Sequence, residues 1–260
     1  MMRNPLRRRL RDKQTAYGLW VTVESPSITE CAVALGLDWV CIDMEHGHLG
    51  FDDVINHLRA VRGSETAALV RVPGIEMSAI KRTLDMGAHG VIIPYAQNSA
   101  EVETAFRYGR YPPRGVRGVS GDRAVQWGLG AADYLASADE ETLIIPLIET
   151  RGAVEEIDAI LETPGLEAIF FGPADMSASY GFLREWEGPG IAERILDVKA
   201  RAEAKGICAG IMARSVEDSL QRRNQGFGMV ALGADMSLLI RALRANMAAL
   251  GCQEKLKLWE

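Results

Sequence analysis

No two of the four cysteines, Cys31, Cys41, Cys208 and Cys252, stand close enough in sequence to form a CxxC pair. That spacing argues against a zinc or disulfide framework and fits reduced thiols in a cytoplasmic protein. Positive charge is not in excess either. With 29 Lys and Arg against 35 Asp and Glu, the formal net charge is −6. The chain therefore lacks the basic footprint of a nucleic-acid binder. No apolar run approaches the roughly 20 residues needed to cross a bilayer, so no membrane partner is expected. The basic opening MMRNPLRRRLRDK lacks the apolar core of a signal peptide and reads as a short surface helix, an extension over residues 1–16. Nucleotide signatures are missing too: the first strand runs into SPSIT, with neither GxGxxG nor a Walker A motif.

What is present is an ordinary globular composition, 48% hydrophobic and 25% charged over 260 residues, enough for one sizeable core. Short apolar runs read as strands at Gly18–Val23, Leu37–Ile42, Ala67–Val70, Gly90–Ile93, Leu143–Ile148, Ala168–Phe171, Ile207–Met212 and Met229–Leu232. Helical spacing lies between them, at Phe51–Val61, Met77–Met86, Ser99–Tyr108, Arg151–Glu162, Ile191–Lys205 and Val216–Gln225, with a further helix opened by Ser25-Pro26-Ser27. Residues 110–141 read as an irregular insertion, and Asp235–Leu250 as a long amphipathic helix suited to subunit packing. Continuous apolar strands alternating with helices signal a parallel sheet covered on both faces. An open doubly wound sheet usually needs fewer strands, so the expected fold is an α/β (β/α)8 TIM barrel, a single domain over residues 1–260.

Active sites of such barrels lie at the carboxyl ends of the strands. There the stretch Leu143–Met176 delivers Glu149 after strand five and Asp175 after strand six. Two neighbouring carboxylates with room for water suit a hard divalent cation. Asp43, Glu45 and His46 follow strand two, and Arg71 follows strand three. Each has a bland reading. Glu149 would favour a helix N-terminus, Asp175 would cap a turn, Arg71 would form a rim salt bridge, and His46 would be structural. His48, His57 and His89 are read as structural. Arg114 and Arg117 suggest either an anion loop or, more simply, a rigid proline turn carrying solvated arginines.

Several motifs occur together and in order: GLW at Gly18, DMEH at Asp43, VRV at Val70, RYPPRGVRG from Arg110 to Gly118, IETR at Ile148, and FGPADMSA from Phe171 to Ala178. In this combination the chain resembles the HpcH/HpaI aldolase family, metal-dependent class II pyruvate aldolases. That family includes 4-hydroxy-2-oxoheptanedioate and 2-dehydro-3-deoxyglucarate aldolases. The resemblance implies that Glu149 and Asp175 hold the metal, and that His46 is the general base, acting through a water on it. Arg71 would hold the keto oxygen and its developing enolate charge. The amides of Ala174 and Asp175 would grip the pyruvate carboxylate, with Gly172, Trp20, Leu147 and Met212 completing the substrate surroundings. Asp85 matches the acid that raises the basicity of the histidine, across a subunit interface, with Asp43 as the alternative partner. Family members are typically hexamers, so a homo-oligomer is expected. One departure stands out: the family commonly has glutamine where this chain has Leu147, which bears on substrate identity.

The expected reaction is retro-aldol cleavage of a 4-hydroxy-2-oxo acid into pyruvate and an aldehyde. Mg2+ or Mn2+ suits two carboxylates plus water, with Co2+ or Zn2+ as alternatives. None of the runs read as strands ends in a lysine for a Schiff base. Rival readings are an oxaloacetate decarboxylase, a CoA-ester lyase of the same superfamily, and a non-catalytic barrel that binds a 2-oxo acid.

Overall fold

Eight parallel strands close into a barrel in the order of the sequence, β1 pairing with β8 to complete the ring. The structure is a computed structural model that describes residues 3–252 and residue 254. The first half runs α1 (Pro5–Arg11), β1 (Ala16–Val21), α2 (Pro26–Ala34), β2 (Trp39–Asp43), α3 (Phe51–Ala60), β3 (Ala67–Arg71), α4 (Met77–Asp85), β4 (Gly90–Ile93) and α5 (Ser99–Gly109). A 3-10 turn over Arg123–Gly128 leads into α6 (Ala131–Glu141) and β5 (Leu143–Ile148). Two short helices, α7 (Arg151–Glu155) and α8 (Ile157–Ile160), precede β6 (Ala168–Phe171) and α9 (Pro173–Ser179). The chain ends through α10 (Ile191–Ala204), β7 (Cys208–Met212), α11 (Val216–Asn224), β8 (Met229–Ala234) and α12 (Asp235–Ala249). This is the (β/α)8 barrel that the alternation predicts.

The period-two alternation of a strand divides the core in two. Inward residues such as Trp39, Leu69, Ile145 and Phe170 fill the barrel. Their outward neighbours, among them Ile144, Ile148, Ile169 and Phe171, pack under the helices. The Trp39 indole fits only because its neighbour is Gly18, where a Cβ would lie 2.1 Å from the ring. No helix among the described residues is long and apolar enough to cross a membrane.

Four expectations need correction. The basic opening is not a surface helix: Leu6 is fully buried in the barrel-filling cluster, and Leu10 packs against that cluster. Leu6 and Leu10 lie four residues apart on one face of α1, and that face plugs the otherwise open floor of the barrel. Residues 1 and 2 of the same opening lie outside the described residues. The 110–141 segment is not irregular throughout, because Tyr134 and Ala138 of α6 pack with Tyr111 and Val125 into a small core of their own. The helix expected over Arg151–Glu162 breaks at Glu156, whose ψ of 8° ends α7 and starts α8. β1 begins and ends two residues early. Its would-be last residues, Thr22 and Val23, donate their amides to the Asp235 carboxylate instead of to a strand.

Candidate active site

The inward alternation that fills the barrel continues to its upper rim. On β2 it runs Trp39, Cys41, Asp43, and on β3 Ala67, Leu69, Arg71. On β5 it runs through Ile145 and Leu147 to Glu149, and on β6 through Phe170 to Gly172. Polar groups therefore surround the mouth while apolar ones close the space beneath. The resulting cavity, 240 Å3, is lined by Trp20, Asp43, His46, Arg71, Leu147, Glu149, Gly172, Ala174, Asp175 and Met212, all expected at the site. Thr22, Phe170 and Trp186 also line it.

Arg71 is the electrostatic centre. Its Nε and Nη2 donate to the two oxygens of Asp43 at 2.8 and 2.5 Å, and Nη1 lies 2.7 Å from Glu45 Oε2. Both partners of the Asp43 pair are buried, so the geometry is fixed on both sides. Burial alone would raise the Asp43 carboxyl. The Arg71 hydrogen bonds and charge outweigh it, with the amides of Glu45 and His46 helping, and hold it below the usual carboxylate range. Trp20 Nε1 donates to the same carboxylate at 3.2 Å. Burial works the other way on Arg71, and Asp43 again prevails, so the guanidinium is held above its ordinary value. A guanidinium has five N–H donors. Two are taken by Asp43, and the Nη1 end faces Glu45 as an ion pair without an aligned hydrogen bond, which leaves N–H groups for a substrate oxygen.

Glu149 and Asp175 approach one another across Gly172. A Cβ at position 172 would lie 2.8 Å from Glu149 Oε2 and 3.8 Å from Asp175 Oδ2, so glycine alone leaves the space between the carboxylates clear. Glu149 Oε1 accepts from the Tyr95 amide at 2.8 Å. Burial first, and then the charges of Asp175 and Glu45, push its carboxyl up to about 8 despite that bond. A buried carboxylate repelled by its neighbours is a donor set that a hard cation would compensate. The two residues fit Mg2+ or Mn2+, with further ligands left to water and substrate. Among the described residues no group of three or more His, Cys, Asp or Glu encloses a cation site.

His46 is exposed at the rim, its Nε2 3.9 Å from Glu45 Oε1. The Asp43 carboxylate accepts from the His46 backbone amide, at 3.3 Å, as well as from Arg71, and makes no bond to the His46 ring. The acid beside the His46 imidazole is therefore Glu45, whose own carboxyl is raised by burial against the charges of Arg71 and His46. Asp85 does not line the cavity. It ends α4, where Arg117 Nη2 donates to it at 2.8 Å. Arg117 is not solvated as expected; it is fully buried against the Tyr111 ring, 4.6 Å away. Two histidines read as structural sit in the scaffold: His57 Nδ1 is 2.7 Å from Thr29 Oγ1, and His89 Nδ1 accepts from the Ala68 amide.

Sequence reasoning left Glu45 without a role and missed Thr22, Trp186 and the Tyr95 amide. The position of Glu45 beside His46 was a signal. The others come from loops whose paths no periodicity reports.

The profile of the HpcH/HpaI aldolase/citrate lyase family matches residues 16–242. A hydroxypyruvate/pyruvate aldolase from Paraburkholderia phytofirmans is 35% identical over 248 residues, covering 93% of this chain and 95% of that protein. A 5-keto-4-deoxy-D-glucarate aldolase from Escherichia coli is 36% identical over 236 residues, 90% and 92% of the two chains. Among solved structures, a family protein from Burkholderia cenocepacia superposes with a TM-score of 0.89 at 35% identity, covering 95% and 99%. A citrate synthase superposes at 0.85 and 28% identity, covering 95% and 97%.

Proposed function

This chain belongs to the HpcH/HpaI aldolase/citrate lyase family and is a carbon–carbon lyase, and on that premise we propose that it is a divalent-cation-dependent aldolase cleaving a 4-hydroxy-2-oxo acid into pyruvate and an aldehyde. The observation that carries the reading is the pair Glu149 and Asp175, with the space between them left clear by Gly172, beside Arg71 in one small cavity.

In the retro-aldol direction the 4-hydroxyl loses its proton and the C3–C4 bond breaks. The electron pair moves into the C2–C3 enolate, whose charge sits on the 2-oxygen, and C3 then takes up a proton to give pyruvate. Glu149 and Asp175 would hold the cation, which when bound would supply Lewis-acid polarisation of the 2-keto group. The N–H groups of Arg71 not bonded to Asp43 stabilise charge on that oxygen where it develops. Met176 N bonds Gly172 O, so the amides of Ala174 and Asp175 in the first turn of α9 are left for the substrate carboxylate. His46 moves the proton at the open rim, with Glu45 as the acid beside its ring. Leu147, Phe170 and Met212 offer the rest of the substrate an apolar wall.

Two features favour this reading over its rivals. A cavity of 240 Å3 falls below the about 300–1,000 Å3 of pockets for drug-sized ligands, which suits a small acid rather than a CoA ester. No lysine lines it among the described residues, so a Schiff base has no nucleophile there. The likeness to a citrate synthase supports a second reading, in which the same enolate chemistry makes a bond rather than breaking one. We also propose that the working form is a homo-oligomer. Leu239, Ile240 and Leu243 of α12 are about half exposed, as a helix used in subunit packing requires. In that assembly Asp85 would serve His46 of a second copy. Mixing His46→Ala and Asp85→Ala subunits then restores activity; proven exchange without recovery would leave Asp85 a structural partner of Arg117.

The test of the function is pyruvate release from a panel of 4-hydroxy-2-oxo acids. EDTA should abolish it and Mg2+ or Mn2+ restore it. Turnover unaffected by EDTA would remove the cation from the mechanism. Cleavage of no panel member, with oxaloacetate or a condensation product handled instead, would favour the rivals.

A further inference from the structure

Among the described residues five arginines are buried: Arg7, Arg71, Arg110, Arg117 and Arg222. Four of them meet a carboxylate at 2.8 Å or closer, namely Glu167, Asp43, Asp85 and Glu187 in that order. Arg110 meets none. Its Nη1 is buried without any hydrogen-bond partner, and its guanidinium carbon lies 5.5 Å from the centre of the Phe106 ring. No carboxylate reaches Arg110 as an ion pair, and burial, only partly offset by the more distant charges of Asp139 and Glu167, pushes it down to about 10.

This cation faces a cavity of 580 Å3 at the floor of the barrel, the end opposite the catalytic mouth. Arg107 and Arg114 stand exposed on its rim. Glu103, Asp139, Glu140 and Glu167 line it as well, and the two whose charges Arg110 feels most, Asp139 and Glu167, direct their hydrogen bonds elsewhere. Asp139 Oδ1 accepts from the Tyr111 amide at 2.9 Å, and Glu167 accepts from Arg7 Nε at 2.8 Å. The loop that places Arg110 is the RYPPRGVRG segment. Its Gly115 packs so closely on the end of α5 that a Cβ would lie 2.3 Å from Arg107 O and 2.5 Å from Arg110 O. Val116 and Arg117 then bond those two carbonyls, at 2.8 and 2.9 Å. The cation is thus built into the fold, not left on a mobile side chain.

We propose that this floor cavity binds a small multivalent oxyanion of the phosphate class, with Arg110 as its buried anchor and Arg107 and Arg114 closing over it. The planar fork of a guanidinium matches such an oxyanion and supplies the charge-assisted hydrogen bonds that Arg110 now lacks. The cavity is separate from the reacting atoms, so occupancy should stabilise the folded chain without competing with substrate.

Inorganic phosphate is the probe. It is titrated into the full chain in EDTA, at an ionic strength held constant with chloride, and followed by calorimetry and thermal unfolding. The parent should bind saturably and melt at a higher temperature with phosphate than with chloride. Arg110→Gln should weaken binding at least tenfold, while Arg71→Gln in the catalytic mouth leaves it unchanged. Should Arg110→Gln fail to fold, the exposed substitutions Arg107→Gln and Arg114→Gln carry the test. Each should weaken phosphate severalfold while melting like the parent in chloride. The proposal is overturned by a parent that shows no saturable binding, or by binding that the folded floor variants leave unchanged. Binding lost in Arg71→Gln would place the phosphate in the catalytic cavity instead. No binding, with Arg110→Gln altering the assembly state, would give Arg110 to a carboxylate of a second copy and equally overturn the proposal.

Discussion

Glu149→Gln isolates the electrostatic cost of the cation-free site. Burial, with Asp175 and Glu45 adding to it, moves the Glu149 carboxyl from 4.5 up to about 8 in the folded chain. The folded chain therefore binds this proton more tightly than the unfolded chain. The stability linked to it is fully present below about pH 4.5 and is lost as pH rises through about 8. Within that window each pH unit costs about 1.4 kcal/mol, so about 3 kcal/mol disappears between about pH 5.5 and about pH 7.5. A neutral glutamine of nearly the same shape cannot titrate. Denaturant unfolding of parent and variant, in EDTA and at one protein concentration, gives the difference directly. The stability of the parent relative to the variant should fall by about 3 kcal/mol across that interval. Adding Mg2+ should oppose the fall in the parent, because a bound cation displaces the proton. A relative change below about 1 kcal/mol without metal would mean the carboxyl is already ionised in the fold. The crowding of Glu149 against Asp175 would then carry no energetic weight.

Other substitutions probe separate parts of the structure. Arg71→Lys should lower kcat by about 100-fold or more, because an ammonium cannot reproduce the paired bonds to Asp43 and the ion pair with Glu45 while facing substrate; steady-state kinetics within about threefold of the parent would refute it. Gly172→Ala places a Cβ 2.8 Å from Glu149 Oε2. It should displace that carboxylate and cost about 100-fold in turnover with the fold intact, read from kinetics beside circular dichroism. Leu6→Ala opens the barrel floor and should cost about 2–5 kcal/mol of stability with little change in kcat, as denaturant melts of the variant will show.

The barrel was legible because buried parallel strands are continuous apolar runs, and β4, β5 and β6 fall where those runs lie. What escaped had tertiary causes. β1 is displaced because Asp235, more than 200 positions away, claims the Thr22 and Val23 amides. α1 resembles a solvated basic helix until the open barrel floor gives Leu6 and Leu10 something to cover. In the site, Glu149, Asp175, Arg71, Asp43 and His46 were legible from their places at strand ends, and the structure lines one cavity with all five. Glu45 was not, since its role depends on Arg71 reaching across from the next strand. Asp85 shows the opposite limit: within one chain its partner is Arg117, and only an assembly can bring it to His46.

The central claim is that Glu149 and Asp175 together hold the cation on which turnover depends. The direct measurement is metal content, taken beside pyruvate formation, for purified parent, Glu149→Ala and Asp175→Ala after identical loading and dialysis. The parent should retain a divalent ion and release pyruvate, and each variant should lose both while unfolding cooperatively. A variant with full metal occupancy and parental turnover would contradict the assignment.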